Sequence, residues 1–187
     1  MASTLKSGRL GESMNDLDMD LITGHLARIH EAAHVVVGYE LGHWLDERGV
    51  TVDAGGGGFA GLTCYRFEYS IESHALVTLA GPMAEHIEID RPWPGIDVDD
   101  IDVEDDWDGY HSDDTKVFML AEQVAKSNED GLGVEDVIAN WEIQTADLLA
   151  DRRIWVAIGQ VADSLADGWL SAEEVEELLL DGYGEVR

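Results

Sequence analysis

Two histidines and a glutamate form the segment of this 187-residue chain that is best suited to chemistry. His30, Glu31 and His34 make an H-E-x-x-H pattern. On an α-helix, residues four apart lie one turn above each other, so both imidazoles can face the same metal ion. Glu31 follows His30 directly, and its carboxylate can act as the general base towards a zinc-activated water. The pattern predicts a zinc-dependent hydrolase.

The residues around the motif favour this interpretation over a pair of hydrogen-bonded core histidines. Residues 24–45 contain no proline, and Ala32, Ala33 and a run of three valines lie next to the histidines. Such a segment predicts a helix that is largely buried. Two histidines and a glutamate are costly to bury without partners, and a metal ion can partner all three.

Length and composition predict one globular domain over residues 16–187, preceded by a disordered N-terminal segment, residues 1–15. Hydrophobic residues make up 45% of the chain. The longest apolar runs are too short to span a membrane, and the start lacks the apolar segment of a signal peptide. A single cysteine, Cys64, excludes an internal disulfide and fits a reducing compartment. We therefore expect a cytoplasmic protein without a membrane partner.

The chain is strongly acidic, with 40 Asp and Glu residues against 11 Lys and Arg and a net charge of -29. Repulsion from phosphates argues against nucleic acid as a partner. Much of the charge lies in an acidic loop, about residues 96–112, which precedes two further aspartates. A solvated loop is the simpler interpretation, and a flap that favours basic peptides or a second cation site is the alternative.

Periodicity and capping residues predict a mainly α (α+β) fold, a single helical domain with a small β-hairpin after the motif helix. The first helix is expected over residues 16–46, and the hairpin strands over 49–53 and 59–69. Ser70 or Ser73, Ser112, and Ser171 with Glu174 are expected to cap later helices. These helices are predicted at residues 74–89, with a bend at Gly81-Pro82, and at 113–126, 134–151, 152–166 and 172–180. The strand near residues 50–53 is expected to offer an edge to an extended peptide.

Two histidines leave a catalytic zinc one protein ligand short. The metzincin pattern needs a glycine at position 37 and a histidine at position 40, and Val37 and Glu40 exclude it. His25 and His43 lie too far round the predicted helix to reach a metal held by the motif. The remaining candidates for the third ligand are Glu85, His111, Asp113 and Asp114.

Several segments of the chain, in the same order, resemble the peptidase domain of family M41, the FtsH type of ATP-dependent zinc metalloprotease. RIHEAAHVVVGYEL resembles the zinc helix of that family, and VTVDAGGGGFAGLTCY resembles the segment that follows it. LVTLAGPMAEHI is similar to the family's L-x-G-G-R-A-A-E-E helix, and HSDDTKVFMLAEQV to its S-N-D segment. The C-terminal helices follow in matching order, so the resemblance covers about residues 25–181.

The resemblance implies a zinc metalloendopeptidase with Zn2+ as its cofactor. It implies that Asp114, at the aspartate of the S-N-D segment, is the third ligand, although a shift of one residue would exchange it with Asp113. Glu85 matches the helix glutamate of the family and is expected to orient a ligand imidazole, with direct ligation as the alternative. The family also implies a homo-oligomer.

The chain departs from the family in ways that affect function. Ala33 replaces a usual glycine, Pro82-Met83 replaces Gly-Arg, and no G-x-x-x-x-G-K-[ST] phosphate loop is present. We therefore expect no ATP-driven unfolding within this polypeptide. The expected substrates are peptides or unfolded proteins, and the sequence does not decide whether a separate ATPase is a partner. The alternative function is a non-catalytic, zinc-binding interaction module with the same fold.

Overall fold

The computed structural model describes residues 14–53, 60–65, 70–101, 112–128 and 131–185. Within these residues the structure has six α-helices and one small antiparallel sheet, which confirms the predicted mainly α (α+β) fold. The elements in chain order are α1 (Met14–Glu40), β1 (Leu45–Asp53), β2 (Ala60–Tyr65), α2 (Ile71–Glu88), α3 (Asp113–Ser127), α4 (Val134–Leu149), α5 (Arg152–Ser164), a 3-10 helix (Leu165–Asp167), β3 (Trp169–Leu170) and α6 (Ala172–Glu185).

The predicted caps explain where several helices begin. The hydroxyl of Ser70 accepts a hydrogen bond from the backbone N–H of Ser73, and Ser112 accepts one from Thr115 at 3.2 Å. Ser171 and Glu174 form the reciprocal pair of a capping box. These serines satisfy backbone donors that a helix start leaves without partners, and they confirm the predicted caps.

The first helix ends at Glu40, six residues before the predicted end. Gly42 has a φ of +81°, a left-handed conformation that glycine adopts without a steric penalty. The backbone N–H of His43 then returns to the carbonyl of Gly38 at 2.8 Å, which closes the helix end. The prediction extended α1 too far because the apolar pattern continues into β1.

The core forms where α1 lies against α2, the largest interface between elements in the described chain. Ala32 and Ala33 of α1 and Ala80 and Ala84 of α2 are all fully buried. Small side chains let two helix backbones approach closely, and the larger Leu79 fills the space around them. This close approach carries the residues of α2 to the histidines of α1.

The sheet has three strands in the order β2-β1-β3, and all pairs are antiparallel. The prediction missed β3, a strand of two residues that pairs with Val50 and Thr51. Gly49, with a φ of +68°, is required here because a Cβ would collide with the carbonyl of Leu170. Because β3 covers this side of β1 and β2 covers the other, the expectation that residues 50–53 offer a free edge to a peptide is wrong.

The segment after α2 leads towards the acidic loop. Its first part is attached to α4, because the indole N–H of Trp93 and the backbone N–H of Ile96 both donate to Glu142 Oε1 at 2.9 Å. Asp97, Asp99 and Asp100 are exposed, as expected of a solvated loop. Residues 1–13 and 102–111 lie outside the described residues, and they include most of the segment predicted to be disordered, most of the acidic loop and His111. Met14 and Asn15, the last two residues of that predicted segment, already belong to α1. None of the described helices has the length and apolar character needed to cross a membrane.

Candidate metal centre

The two motif histidines lie one turn apart on α1, with ring centroids 4.6 Å from each other and ring planes at 82°. His34 is buried, and its Nδ1 lies 2.6 Å from the backbone carbonyl of Val77 on α2. A carbonyl can only accept, so Nδ1 of His34 carries a proton and donates it. In the neutral imidazole, the lone pair is therefore on Nε2.

His30 is held in the same way from another position on α2. Its Nδ1 lies 3.0 Å from Oε1 of Glu85, the glutamate that the sequence predicted as a partner of a ligand imidazole. A carboxylate accepts from the ring, so Nδ1 carries a proton, and Nε2 is the nitrogen that could exchange its own proton for a metal ion. Such a hydrogen bond behind a metal-ligating histidine fixes the tautomer and the ring orientation. The contact of Glu85 is in the structure, and its role towards a metal stays a prediction.

Both Nε2 atoms face one carboxylate oxygen. Oδ2 of Asp113 lies 2.9 Å from Nε2 of His30 and 3.3 Å from Nε2 of His34. Asp113 is the first residue of α3, and the cap at Ser112 fixes where that helix begins. Its second oxygen, Oδ1, accepts a hydrogen bond from Nζ of Lys116 at 2.9 Å, one helical turn later. The lysine therefore holds the carboxylate with Oδ2 towards the histidines.

Of the two adjacent aspartates, the structure brings Asp113 and not Asp114 to the histidines. Asp114 is exposed and, within the described part of the chain, makes no hydrogen bond or ion pair with either imidazole. Consecutive residues point about 100° apart on a helix, so only one of the two can face α1. The candidate third ligand is thus Asp113, one residue before the position that the family resemblance implied.

Glu31 is buried beside the histidines, with 5% of its surface exposed. A carboxylate oxygen of Glu31 and one ring nitrogen from each histidine all lie within 4.8 Å of one another. The predicted base is therefore close to the point on which the other three groups converge. Its position on α1, next to His30, follows directly from the motif.

Gly81 is a residue of this site that the sequence interpretation assigned only to a bend. It lies in α2 directly opposite the two imidazoles. A Cβ at this position would be 2.5 Å from Nε2 of His34 and 2.7 Å from Cδ2 of His30. No side chain fits there while both rings keep their places, so glycine is needed for α2 to cover the histidines. The run of small residues in LAGPMA, which belongs to the helix that packs on the motif helix, is the signal in the sequence that could have revealed this role of Gly81.

The charges of the site match a bound cation. Burial by itself lowers the pKa of His30, but hydrogen bonds to Asp113 and Glu85 outweigh this effect and raise the pKa to about 10. Burial by itself raises the pKa of Asp113, but His34, His30 and Lys116 hold it well below its usual range. The arrangement thus favours positive charge at His30 and negative charge at Asp113, and a bound cation could take the place of the proton on His30.

The donor set fits a zinc ion. Ligand atoms about 2.0 to 2.2 Å from a tetrahedral zinc lie about 3.3 to 3.6 Å from each other. Oδ2 of Asp113 lies 3.3 Å from Nε2 of His34, which matches this range, and 2.9 Å from Nε2 of His30, which is a shorter, hydrogen-bond distance. Both Nδ1 atoms donate to other acceptors, so Nε2 is the nitrogen of each ring that a metal ion could bind in place of a proton. His30, His34 and Asp113 would hold the ion.

The other histidines considered from the sequence do not join this group. His25 bonds Oε1 of Glu88 at 2.8 Å near the surface of α1 and α2. His43 lies beyond the end of α1 and is buried near His74. His111 is outside the described residues. Within the described chain, the one close group of possible metal ligands is the motif itself, His30, Glu31 and His34, and Asp113 contacts its two histidines.

Comparison of the chain with protein-family models, curated proteins and solved structures finds no match. The resemblance to peptidase family M41 therefore rests on the sequence motifs alone.

Proposed function

We propose that the chain is a zinc-dependent metallopeptidase that acts on peptides or unfolded polypeptide segments in the cytoplasm. The observation that carries the proposal is the convergence of Nε2 of His30, Nε2 of His34 and Oδ2 of Asp113, with the carboxylate of Glu31 alongside. This set has three protein ligands and a separate base, the composition of a catalytic zinc site rather than a structural one. The choice of a peptide bond rests on the resemblance to the M41 peptidases.

The residues of the chain have distinct tasks in this reaction. A zinc ion bound here would supply Lewis acidity, which lowers the pKa of water and polarises a substrate carbonyl. The carboxylate of Glu31 would accept the proton of the attacking water and deliver it to the amine that leaves. Val77 and Glu85 fix the orientation of the two imidazoles, and Lys116 fixes that of Asp113. The burial of Glu31 and His34 limits competing contacts with bulk water.

The test separates metal binding from catalysis. Zinc content and cleavage of casein or of quenched unstructured peptides are measured for the wild type, Glu31→Gln and Glu40→Gln, the last an exposed glutamate on the same helix. We expect one bound zinc in all three proteins. Loss of the base should reduce kcat by about a hundredfold or more, and Glu40→Gln should cleave like the wild type.

The outcomes distinguish the proposal from its alternative. A wild type that binds zinc at His30 and His34 but cleaves no substrate would support the non-catalytic zinc-binding module instead. Cleavage that survives in Glu31→Gln at the wild-type rate would refute the role of the base. A wild type that binds no zinc would exclude both functions.

A further inference from the structure

A cavity of about 250 Å³ lies between the C-terminal end of α1 and the first turns of α6. Val35 and Tyr39, one turn apart on α1, form one side, and Val175 of α6 forms another. Val35 follows His34 directly and therefore points about 100° away from it round the helix. The cavity is thus on a different face of α1 from the candidate metal centre and does not depend on the proposed function.

Two aromatic rings line this cavity. The ring centroids of Tyr39 and Trp44 are 6.3 Å apart, and their planes make an angle of 69°. Trp44 is 54% exposed, although a large aromatic side chain is usually well covered. The face of an indole or phenol ring carries negative electrostatic potential and attracts cations. The aromatic side of the cavity is therefore suited to a positively charged group.

Two carboxylates lie on the α6 side of the same cavity. Glu173 and Glu176 are three residues apart on the helix and so occupy neighbouring positions of one face. None of the described residues that line the cavity is lysine or arginine. The third titratable side chain, His43, adds no positive charge at neutral pH, because burial lowers its pKa to about 4. The net charge of -29 adds a long-range attraction for cations.

We propose that this cavity binds the side chain of an arginine that a basic polypeptide presents. The volume is below that of most pockets for small organic ligands and suits a single side chain. A planar guanidinium can stack on the indole of Trp44 while its N–H groups reach Glu173 and Glu176. The aliphatic part of the arginine would contact Val35 and Val175. Lysine can make the charge contact but cannot stack in this way.

The test uses N-acetyl-arginine amide and its neutral analogue N-acetyl-citrulline amide with the full chain. Binding is followed by nitrogen-proton correlation NMR on the assigned indole N–H of Trp44. We expect saturable shifts with the arginine compound, and binding at least about tenfold weaker with the citrulline compound. N-acetyl-lysine amide should bind more weakly than the arginine compound, and guanidinium chloride more weakly than both.

Matched variants test the lining. Glu176→Gln should weaken binding of the arginine compound about threefold, while Glu177→Gln, the same charge change one residue later and outside the cavity, should leave it unchanged. Trp44→Leu lacks this indole signal, so its binding is measured by calorimetric titration and should be about fivefold weaker. Trp169→Leu, which replaces a second half-exposed tryptophan, should bind like the wild type. Circular dichroism identifies any variant that fails to fold. If a tryptophan variant fails, the comparison of Glu176→Gln with Glu177→Gln tests the proposal.

Several results would overturn the proposal. Equal binding of the arginine and citrulline compounds would mean an apolar cavity rather than a cation site. Equal effects of Glu176→Gln and Glu177→Gln would mean general attraction to an acidic protein. Guanidinium ion binding as tightly as the arginine compound would reject the polypeptide side chain as the occupant, and no saturable binding at all would reject the site.

Discussion

Replacing Gly81 by alanine gives the most direct test of the candidate metal centre. The added Cβ would lie 2.5 Å from Nε2 and 2.6 Å from Cε1 of His34, closer than packed atoms allow. The ring of His34 cannot turn away freely, because its Nδ1 is bonded to the carbonyl of Val77 at 2.6 Å. We therefore expect α2 to move away from α1 or the imidazole to lose this bond. Either change displaces a predicted zinc ligand.

Two opposing effects determine how Gly81→Ala changes the free energy of unfolding. Overpacking a core costs about 1 to 3 kcal/mol. Replacing glycine by alanine inside a helix stabilises it by about 1 kcal/mol, so Gly81→Ala should change the free energy of unfolding of the metal-free protein by about 0 to -2 kcal/mol. Gly159 of α5 is the matched control, since a Cβ there has no atom within 4 Å. Gly159→Ala should therefore stabilise the protein by about 0.5 to 1 kcal/mol.

Zinc affinity provides the second measurement, by competition with a chelator of known affinity. A ligand imidazole displaced by the new methyl group should weaken binding at least about tenfold. Each tenfold loss reduces the stabilisation by excess zinc by about 1.4 kcal/mol, which urea unfolding with and without zinc can detect. If Gly81→Ala binds zinc like the wild type and is stabilised as much as Gly159→Ala, α2 does not cover the two histidines as described.

Three further changes probe other parts of the molecule. Asp113→Asn should lower zinc affinity about a hundredfold or more, whereas Asp114→Asn should lower it less than about threefold. Equal losses of affinity, measured by competition with a chelator, would contradict Asp113 as the third ligand. Lys116→Met should lower zinc affinity about threefold to tenfold, and Lys116→Arg should restore it. Lys126→Met, which breaks an exposed ion pair on the same helix, should leave zinc affinity unchanged. If Lys116→Arg does not restore zinc affinity, Lys116 does not position the carboxylate of Asp113. Because the pKa of His43 is lowered to about 4, the unfolded chain binds a proton between pH 6.5 and 4 that the folded chain does not bind. The free energy of unfolding should therefore fall by up to about 3 kcal/mol as the pH falls from 6.5 to about 4. Urea unfolding of chelator-treated protein should show this fall. His43→Gln should reduce it, and the remainder would come from His74, whose pKa burial also lowers. An unchanged pH profile in the variant would contradict the lowered pKa of His43.

Local signals account for most of what the sequence predicted. Helix starts were predictable because Ser112 and Ser171 cap their helices with their own side chains. The H-E-x-x-H pattern was informative because its three residues lie on one helix, where spacing alone determines which side chains share a face. Neither feature depends on how the helices pack against each other. This is why six helices and the motif could be predicted from a single sequence.

The features that the sequence did not reveal depend on tertiary packing. Strand β3 has two residues and no alternation of its own, and it exists because Gly49 lets the chain near Leu170 come close to β1. The choice between Asp113 and Asp114 is a difference of about 100° in direction at the start of α3. It is determined by how α3 packs against α2 and α4, which no local pattern specifies.

The carbonyl of Val77 is a part of the candidate site that the sequence could not reveal. This backbone carbonyl fixes the proton of His34, yet every residue has a carbonyl, so the amino-acid type at position 77 gives no signal. Gly81, four residues later on the same helix, is the exception, because its missing side chain is itself required. A site of this kind therefore constrains few residue types, namely two histidines, a glutamate, one carboxylate on a facing helix and one glycine. Because these few residue types are visible in the sequence itself, the candidate site could be predicted although comparison with known families finds no match.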